Sequence, residues 1–271
     1  MAFVCPICKG ELTALGNTKK CPRGHSFDRA KEGYYNLLMA RGGGTHGDND
    51  AMVKARRDFL ARGYYEPLQE LVKRTVLEFT PANGSVLDAG LGEGYYTDAF
   101  ERALSERDGG SFVFGFDISK TAVKLAAKKN PKLSLAVASS YDIPALDASF
   151  DTVISIFSPL AREEIARVLR PRGVFIFAYP GRRHLMGLKS AVYDSPRENE
   201  PMELQLERFV KVRSEHLAYE ISIVGNEAVS ELFMMTPYAY RTGSIERERL
   251  SELREVVTEL EFFVDVYRKE E

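Results

Sequence analysis

From residue 85 onward, short apolar runs alternate with stretches whose apolar residues recur every three or four positions. The runs at 85–89, 112–116, 133–138, 152–157 and 174–179 are dominated by Val, Ile, Leu, Phe and Ala. Unbroken apolar character over so few residues predicts strands buried on both faces. The amphipathic stretches at 96–106, 120–129 and 162–169 predict the intervening helices, and strand alternating with helix predicts a parallel sheet covered on both sides. Segments 209–225 and 261–268 alternate apolar with polar, as late edge strands do, and flank a helix at 227–235. Upstream, Met52, Ala55, Phe59 and Leu60 form one stripe of a helix at 51–62, with Asp50 as its cap, and a second helix at 66–79 follows Tyr64-Tyr65. Four glycines and two aspartates between Arg41 and Asp50 predict a flexible connector. The expected architecture is α/β with a Rossmann-like sheet, in three units: residues 1–40, a connector with linking helices at 41–80, and the main domain at 81–271.

Composition narrows the class. In 271 residues, 44% hydrophobic and 28% charged side chains exclude disorder by composition. No apolar run approaches the ~20 residues of a membrane helix, and the opening Met1-Ala2-Phe3-Val4-Cys5-Pro6 has no basic-then-apolar signal region. A cytoplasmic protein with no membrane association is expected. The net charge of -2 hides an asymmetry. Residues 1–62 hold 11 basic and 6 acidic side chains, whereas residues 63–271 hold 26 and 33. A basic module on an acidic body predicts a polyanionic partner approached from one side.

All three cysteines fall in the first 21 residues, as Cys5-x2-Cys8-x12-Cys21, and His25 follows three residues after the last. An odd count without a partner elsewhere does not make a disulfide framework. Two close ligand pairs separated by a hairpin-length loop are what tetrahedral zinc requires, and four protein ligands leave no open position for water. The site is therefore expected to be structural, with metal binding supplying most of the module's folding free energy. His46 and His216 have no ligand-type neighbours in the sequence and read as ordinary surface or core residues.

The first strand of the main domain runs into Asp88-Ala89-Gly90-Leu91-Gly92-Glu93-Gly94. Glycines at a strand-to-helix turn let a nucleotide-like ligand approach the backbone at the carboxyl ends of the strands. Dinucleotide binding would need Gly at position 95, which is Tyr, and Asp88 suits a cationic ligand better than a pyrophosphate. Asp117 ends the second strand, where a carboxylate can accept both hydroxyls of a ribose. Ser139, at the end of the third, is placed to meet an adenine edge.

With the turn Leu169-Arg170-Pro171-Arg172-Gly173 before strand five, these motifs resemble the class I S-adenosylmethionine-dependent methyltransferases over residues 85–180. A narrower resemblance spans nearly the whole chain. The ribbon, Asp28 to Leu38, Ala55 to Leu68, Gly90 to Thr97 and Pro180 to Leu185 look like the bacterial 23S rRNA guanine-N1 methyltransferases, which modify a hairpin loop lining the peptide exit tunnel. The resemblance implies zinc on Cys5, Cys8, Cys21 and His25, and cofactor contacts from Tyr65, Gly92, Glu93 and His184. It also implies a homodimer forming a shared RNA cleft. Two departures are visible: Leu91, where the family usually carries Cys or Ser, and a connector that is short and glycine-rich.

Guanine N1 is nucleophilic only as its proton leaves, so an acceptor at the Watson–Crick edge is expected, with the base splayed or flipped into a pocket. Strand four ends in Phe157-Ser158-Pro159; the Ser158 carbonyl and His184 are the candidate proton acceptors, and Phe157 or Tyr179 the candidate stacking rings. Phosphate contacts are expected from Lys19, Lys20, Arg23, Arg29 and Lys31, from the helix bearing Lys54, Arg56, Arg57 and Arg62, and from Arg182 and Arg183. Phe27, Tyr34 and Tyr35 are offered for stacking. The alternatives are a methyltransferase acting on another RNA base or on a small molecule, and a binding module on a catalytically silent body.

Overall fold

The computed structural model describes residues 3–39, 47–202, 204–240 and 242–271. Residues 40–46 of the connector, with His46, lie outside the described residues. The N-terminal segment folds as three short antiparallel strands, β1 (Thr13–Leu15), β2 (Thr18–Lys20) and β3 (Ser26–Asp28). A two-residue strand, β4 (Tyr35–Asn36), then leaves this sheet and pairs in parallel with the main one.

Helices α1 (Asp50–Leu60) and α2 (Glu66–Phe79) precede β5 (Ser85–Ala89), α3 (Tyr95–Arg107), β6 (Phe112–Asp117), α4 (Lys120–Lys129) and β7 (Ser134–Val137). There follow β8 (Phe150–Ile156), α5 (Arg162–Val168), β9 (Leu169–Pro180) and α6 (Met186–Val192). The chain ends with β10 (Phe209–Val224), α7 (Asn226–Met234), a 3-10 turn at Pro237–Tyr240, α8 (Ser244–Glu252) and β11 (Glu255–Lys269). The eight-stranded sheet has the order β10-β11-β9-β8-β5-β6-β7-β4. All pairings from β9 to β4 are parallel, and β11 runs antiparallel to both β9 and β10. Chain order reverses between β5 and β8, which places a crevice at the carboxyl ends of these central strands.

Several expectations change. Asn49, not Asp50, caps α1 by accepting the Met52 N–H at 3.0 Å, while Asp50 accepts the Thr121 hydroxyl across the fold at 2.6 Å. Strand β11 begins at Glu255 rather than 261 and is internal, not an edge. Its charged Glu255, Glu259 and Glu261 lie on the less covered face, opposite the buried Val256, Leu260 and Phe262, so their polarity obscured the first half of the strand. The second edge is β4, a strand that local pattern does not announce. Helices α6 and α8 likewise leave no periodic apolar stripe in the sequence.

Two apolar layers enclose the sheet. One contains Phe59, Leu60, Tyr65, Leu68 and Val72 with Val86, Ile154 and Ile176, so α1 and α2 share a core with the central strands. The other contains Phe3, Cys5, Leu12 and Cys21 with Phe114, Ala136 and Ile143, so the ribbon packs directly on β6 and β7. Phe3 meets Phe114 edge-on at 5.8 Å, and the Val4 N–H donates to the Pro144 carbonyl at 2.9 Å. No helix among the described residues is long and apolar enough to cross a membrane.

Candidate active site and metal centre

The ribbon brings Cys5, Cys8, Cys21 and His25 together, their ligand atoms all within 4.8 Å of one another. His25 Nδ1 lies 3.5 Å from Cys5 Sγ and 3.3 Å from Cys21 Sγ, and Cys8 and Cys21 Sγ are 3.5 Å apart. A tetrahedron with Zn–S of about 2.3 Å and Zn–N of about 2.0 Å has edges of about 3.5–3.8 Å. The four side chains fit a zinc ion, with no ligand missing.

The glycine loop folds back over the end of β5. Gly90, Gly92 and Gly94 have φ of +91°, +60° and +80°, conformations that cost a residue with a Cβ. A Cβ on Gly90 would stand 2.5 Å from Ser158 Cβ, whereas one on Gly92 would meet nothing within 4 Å. The first glycine is thus needed for close packing, and the second borders open space in which a ligand can lie. Ser158 locks the base of the loop: its hydroxyl donates to the Ala89 carbonyl at 2.6 Å and lies 3.0 Å from Ser155 Oγ. Before it, Phe157 has φ of +54° and an exposed ring, a strained backbone at the end of β8.

Asp117 clamps the loop from β6, accepting the Gly92 N–H at 3.0 Å and the Ser119 N–H at 2.8 Å. Burial pushes its carboxyl up, and the two amides draw it back. Asp88 is buried beneath the loop; one oxygen accepts the Thr97 hydroxyl at 2.6 Å, and the other has no partner. Burial raises its carboxyl to about 7 against the pull of Thr97. Glu93 is also buried, and its carboxyl is raised by that burial. A carboxylate with an unfilled acceptor site below an open glycine turn fits the cationic, ribose-bearing S-adenosylmethionine.

Tyr65 and His184 meet each other over Phe262 of β11. The His184 ring is buried, its Nδ1 accepts the Glu261 N–H at 3.3 Å, and its Nε2 lies 3.4 Å from the Tyr65 hydroxyl. Burial, with Lys189 adding to it, lowers the imidazole to about 3. Ser139 sits half-buried past β7, accepting the Tyr141 N–H at 3.2 Å.

Many basic residues expected on RNA are engaged within the fold. Arg56 pairs with Asp48 and donates to the Met235 carbonyl, Arg57 pairs with Asp58, and Arg62 pairs with Glu231. Arg182 and Arg183 pair with Glu198 and Glu259. Lys19 lies over the Phe3 and Tyr35 rings, and Tyr34 and Tyr35 are buried because β4 joins the sheet. Tyr179 is buried, with its hydroxyl on Asp265 at 3.1 Å. Of the two stacking candidates, Phe157 is the exposed one. Sequence reasoning offers Arg56 only as a phosphate contact and misses it as a neighbour of the site: it acts through space on Glu93 and Asp117.

Fold and site together define a class I methyltransferase carrying an N-terminal zinc ribbon. Residues 3–41 match the model described as RlmA, N-terminal, and residues 87–177 match a methyltransferase domain. The chain is 31% identical over 269 residues to Bacillus subtilis YxjB, a candidate 23S rRNA (guanine-N(1)-)-methyltransferase by name, covering 94% of this chain and 91% of the relative. It is 35% identical over 191 residues to the Streptomyces fradiae 23S rRNA (guanine(748)-N(1))-methyltransferase, covering 69% and 66%. The chain belongs to the 23S rRNA (guanine-N1-)-methyltransferase family.

Proposed function

We propose that this protein transfers the methyl group of S-adenosylmethionine to N1 of a guanosine in a hairpin loop of 23S rRNA. The observation that carries the reading is the Asp88 oxygen left without a partner beneath the open Gly92 turn, in a chain whose relatives bear that name. Tyr65, Asp88, Gly90, Gly92, Glu93, Asp117, Ser139 and His184 form the cofactor side, and Cys5, Cys8, Cys21 and His25 hold a structural zinc. When bound, the cofactor supplies an electrophilic methyl on a sulfonium. The protein's share is alignment and exclusion of water. Phe157 stacks on the extruded guanine, and the Ser158 carbonyl accepts a hydrogen bond from N1–H; as the N1–methyl bond forms and the sulfur–methyl bond breaks, the N1 proton is released to solvent.

His184 serves as a positioning residue rather than the base. Both ring nitrogens are engaged, and an imidazole near 3 is too weak a base to take the N1 proton. RNA phosphates meet the exposed Lys20, Arg23 and Lys31 of the ribbon segment. The ribbon is an RNA-recognition module seated on β6 and β7, and the protein works in the cytoplasm as a homodimer with a shared cleft. The test is methyl transfer from labelled cofactor to 23S rRNA lacking the modification, followed by nucleoside mass spectrometry. One 1-methylguanosine is expected. Another methylated nucleoside, or none, overturns the reading.

A further inference from the structure

Among the described residues, two buried side-chain polar atoms have no hydrogen-bond partner: Asp88 Oδ1 and the Tyr96 hydroxyl. They bracket one loop, Asp88 near the end of β5 and Tyr96 in the first turn of α3. Folded chains rarely leave such atoms unpaired, and two on either side of a glycine turn mark a place where a ligand completes the bonding.

The two atoms ask for different groups. Asp88 Oδ1 belongs to a carboxyl that already accepts a proton from Thr97, so when ionised it suits a donor such as an ammonium. Tyr96 is different. Its ring packs edge-on against Tyr95 at 5.0 Å, and burial, with Tyr65 as the next cause, drives its phenol well above the ordinary value. It therefore keeps its proton and is a ready donor. Tyr65 is set up in the same sense. His184 Nδ1 accepts a backbone amide, so Nε2 carries the ring proton and points it at the Tyr65 oxygen, which leaves the Tyr65 proton to be donated elsewhere. The Arg56 guanidinium acts through space on Tyr65 and Glu93 and adds positive potential. Two phenol donors, a neighbouring cation and a carboxylate acceptor are the chemical complement of an α-amino acid.

We propose that Tyr96 is a further cofactor-binding residue, its hydroxyl donating with that of Tyr65 to the carboxylate at the amino-acid end of S-adenosylmethionine while Asp88 takes the ammonium. This rests on the methyltransferase reading above and adds to it the recognition of the amino-acid end.

The experiment is calorimetric titration of the zinc-loaded full chain with S-adenosylmethionine and with its decarboxylated analogue, which lacks only the carboxylate. Wild type should bind the analogue at least tenfold more weakly. Tyr96→Phe should weaken S-adenosylmethionine about tenfold, as loss of a hydrogen bond to a charged group does, and leave the analogue unchanged. The ligand-free variant should melt no lower than wild type, because the atom removed had no partner. Equal losses for both ligands, no loss for either, or a wild type that binds both alike would overturn the assignment of Tyr96. A wild type that binds neither ligand would overturn the methyltransferase reading itself, and this inference with it.

Discussion

Asp117 Oδ2 accepts the Gly92 backbone N–H at 3.0 Å, so the carboxylate ending one strand holds the turn that follows its neighbour. The candidate cofactor cradle is therefore a shared product of β5 and β6, and neither strand builds it alone.

The two glycines of that cradle should respond differently to alanine. Gly90→Ala must push its Cβ against Ser158 in a left-handed backbone, so it should lower stability by roughly 2–4 kcal/mol and cofactor affinity with it. Gly92→Ala meets nothing in the protein and should cost only about 1–2 kcal/mol for its φ, yet should abolish binding because its methyl enters the ligand's space. Urea melts paired with titrations of S-adenosylhomocysteine separate the two. A Gly92→Ala protein with normal affinity would remove this loop from the cofactor site.

Asp88→Asn should stabilise the ligand-free protein while damaging binding. Burial holds the folded carboxyl at about 7 against about 4 in the unfolded chain, so stability is fully present below pH 4 and lost as pH rises toward 7. At pH 8 the variant escapes a penalty on the order of 3–4 kcal/mol, set against partial loss of the Thr97 contact. Its melting temperature at pH 8 should exceed wild type, with cofactor affinity down at least about tenfold. A lower melting temperature would show that the charge is compensated in the fold.

His184 makes the opposite pH signature. Its folded imidazole is lowered to about 3, so below pH 6.5 the unfolded chain takes up a proton that the folded chain refuses. This group's contribution is whole above pH 6.5 and declines as pH falls toward 3, by about 2 kcal/mol at pH 5. His184→Gln should flatten that part of the acid limb in denaturant melts. An unchanged acid limb would place the imidazole in a wetter setting.

Zinc should stabilise the methyltransferase domain as well as the ribbon, because Phe3, Cys5 and Leu12 belong to the layer that covers β6 and β7. Chelation, or Cys8→Ser, should lower the main melting transition by at least ~5 °C, since packing worth a few kcal/mol is lost at about 2–4 °C each. Two independent transitions, with the upper one unmoved, would contradict a shared core.

Charge removal should sort the basic residues by whether the fold already employs them. Lys20→Ala with Arg23→Ala should reduce the salt slope of RNA binding by roughly 1.5, at about 0.7 per phosphate contact on single strands. Arg57→Ala with Arg62→Ala should leave the slope unchanged, because Asp58 and Glu231 already hold those guanidiniums. A slope that drops only for the second pair would move the RNA path onto α1.

The sequence by itself determined whatever depends on neighbours in the chain. Apolar runs and periodic stripes located the five parallel strands β5 to β9 and the helices between them, because burial on both faces leaves a local record. The spacing of Cys5, Cys8, Cys21 and His25 marked four ligands for one ion, and Asp88-x-Gly90-x-Gly92 ending a strand marked the candidate cofactor turn. Only the tertiary structure decided matters that depend on residues distant in sequence. Arg56, Arg57 and Arg62 read as an open cationic stripe because their partners Asp48 and Glu231 lie outside the helix, and Asp58 faces Arg57 only through its side-chain geometry. Tyr34 and Tyr35 read as stacking rings because nothing local shows that two residues will add a strand to a distant sheet edge. His184 reads as a base until the backbone amide of Glu261, 77 residues away, occupies its second nitrogen. Availability of a charge, a ring or a proton is a property of surroundings, and long-range packing sets those surroundings.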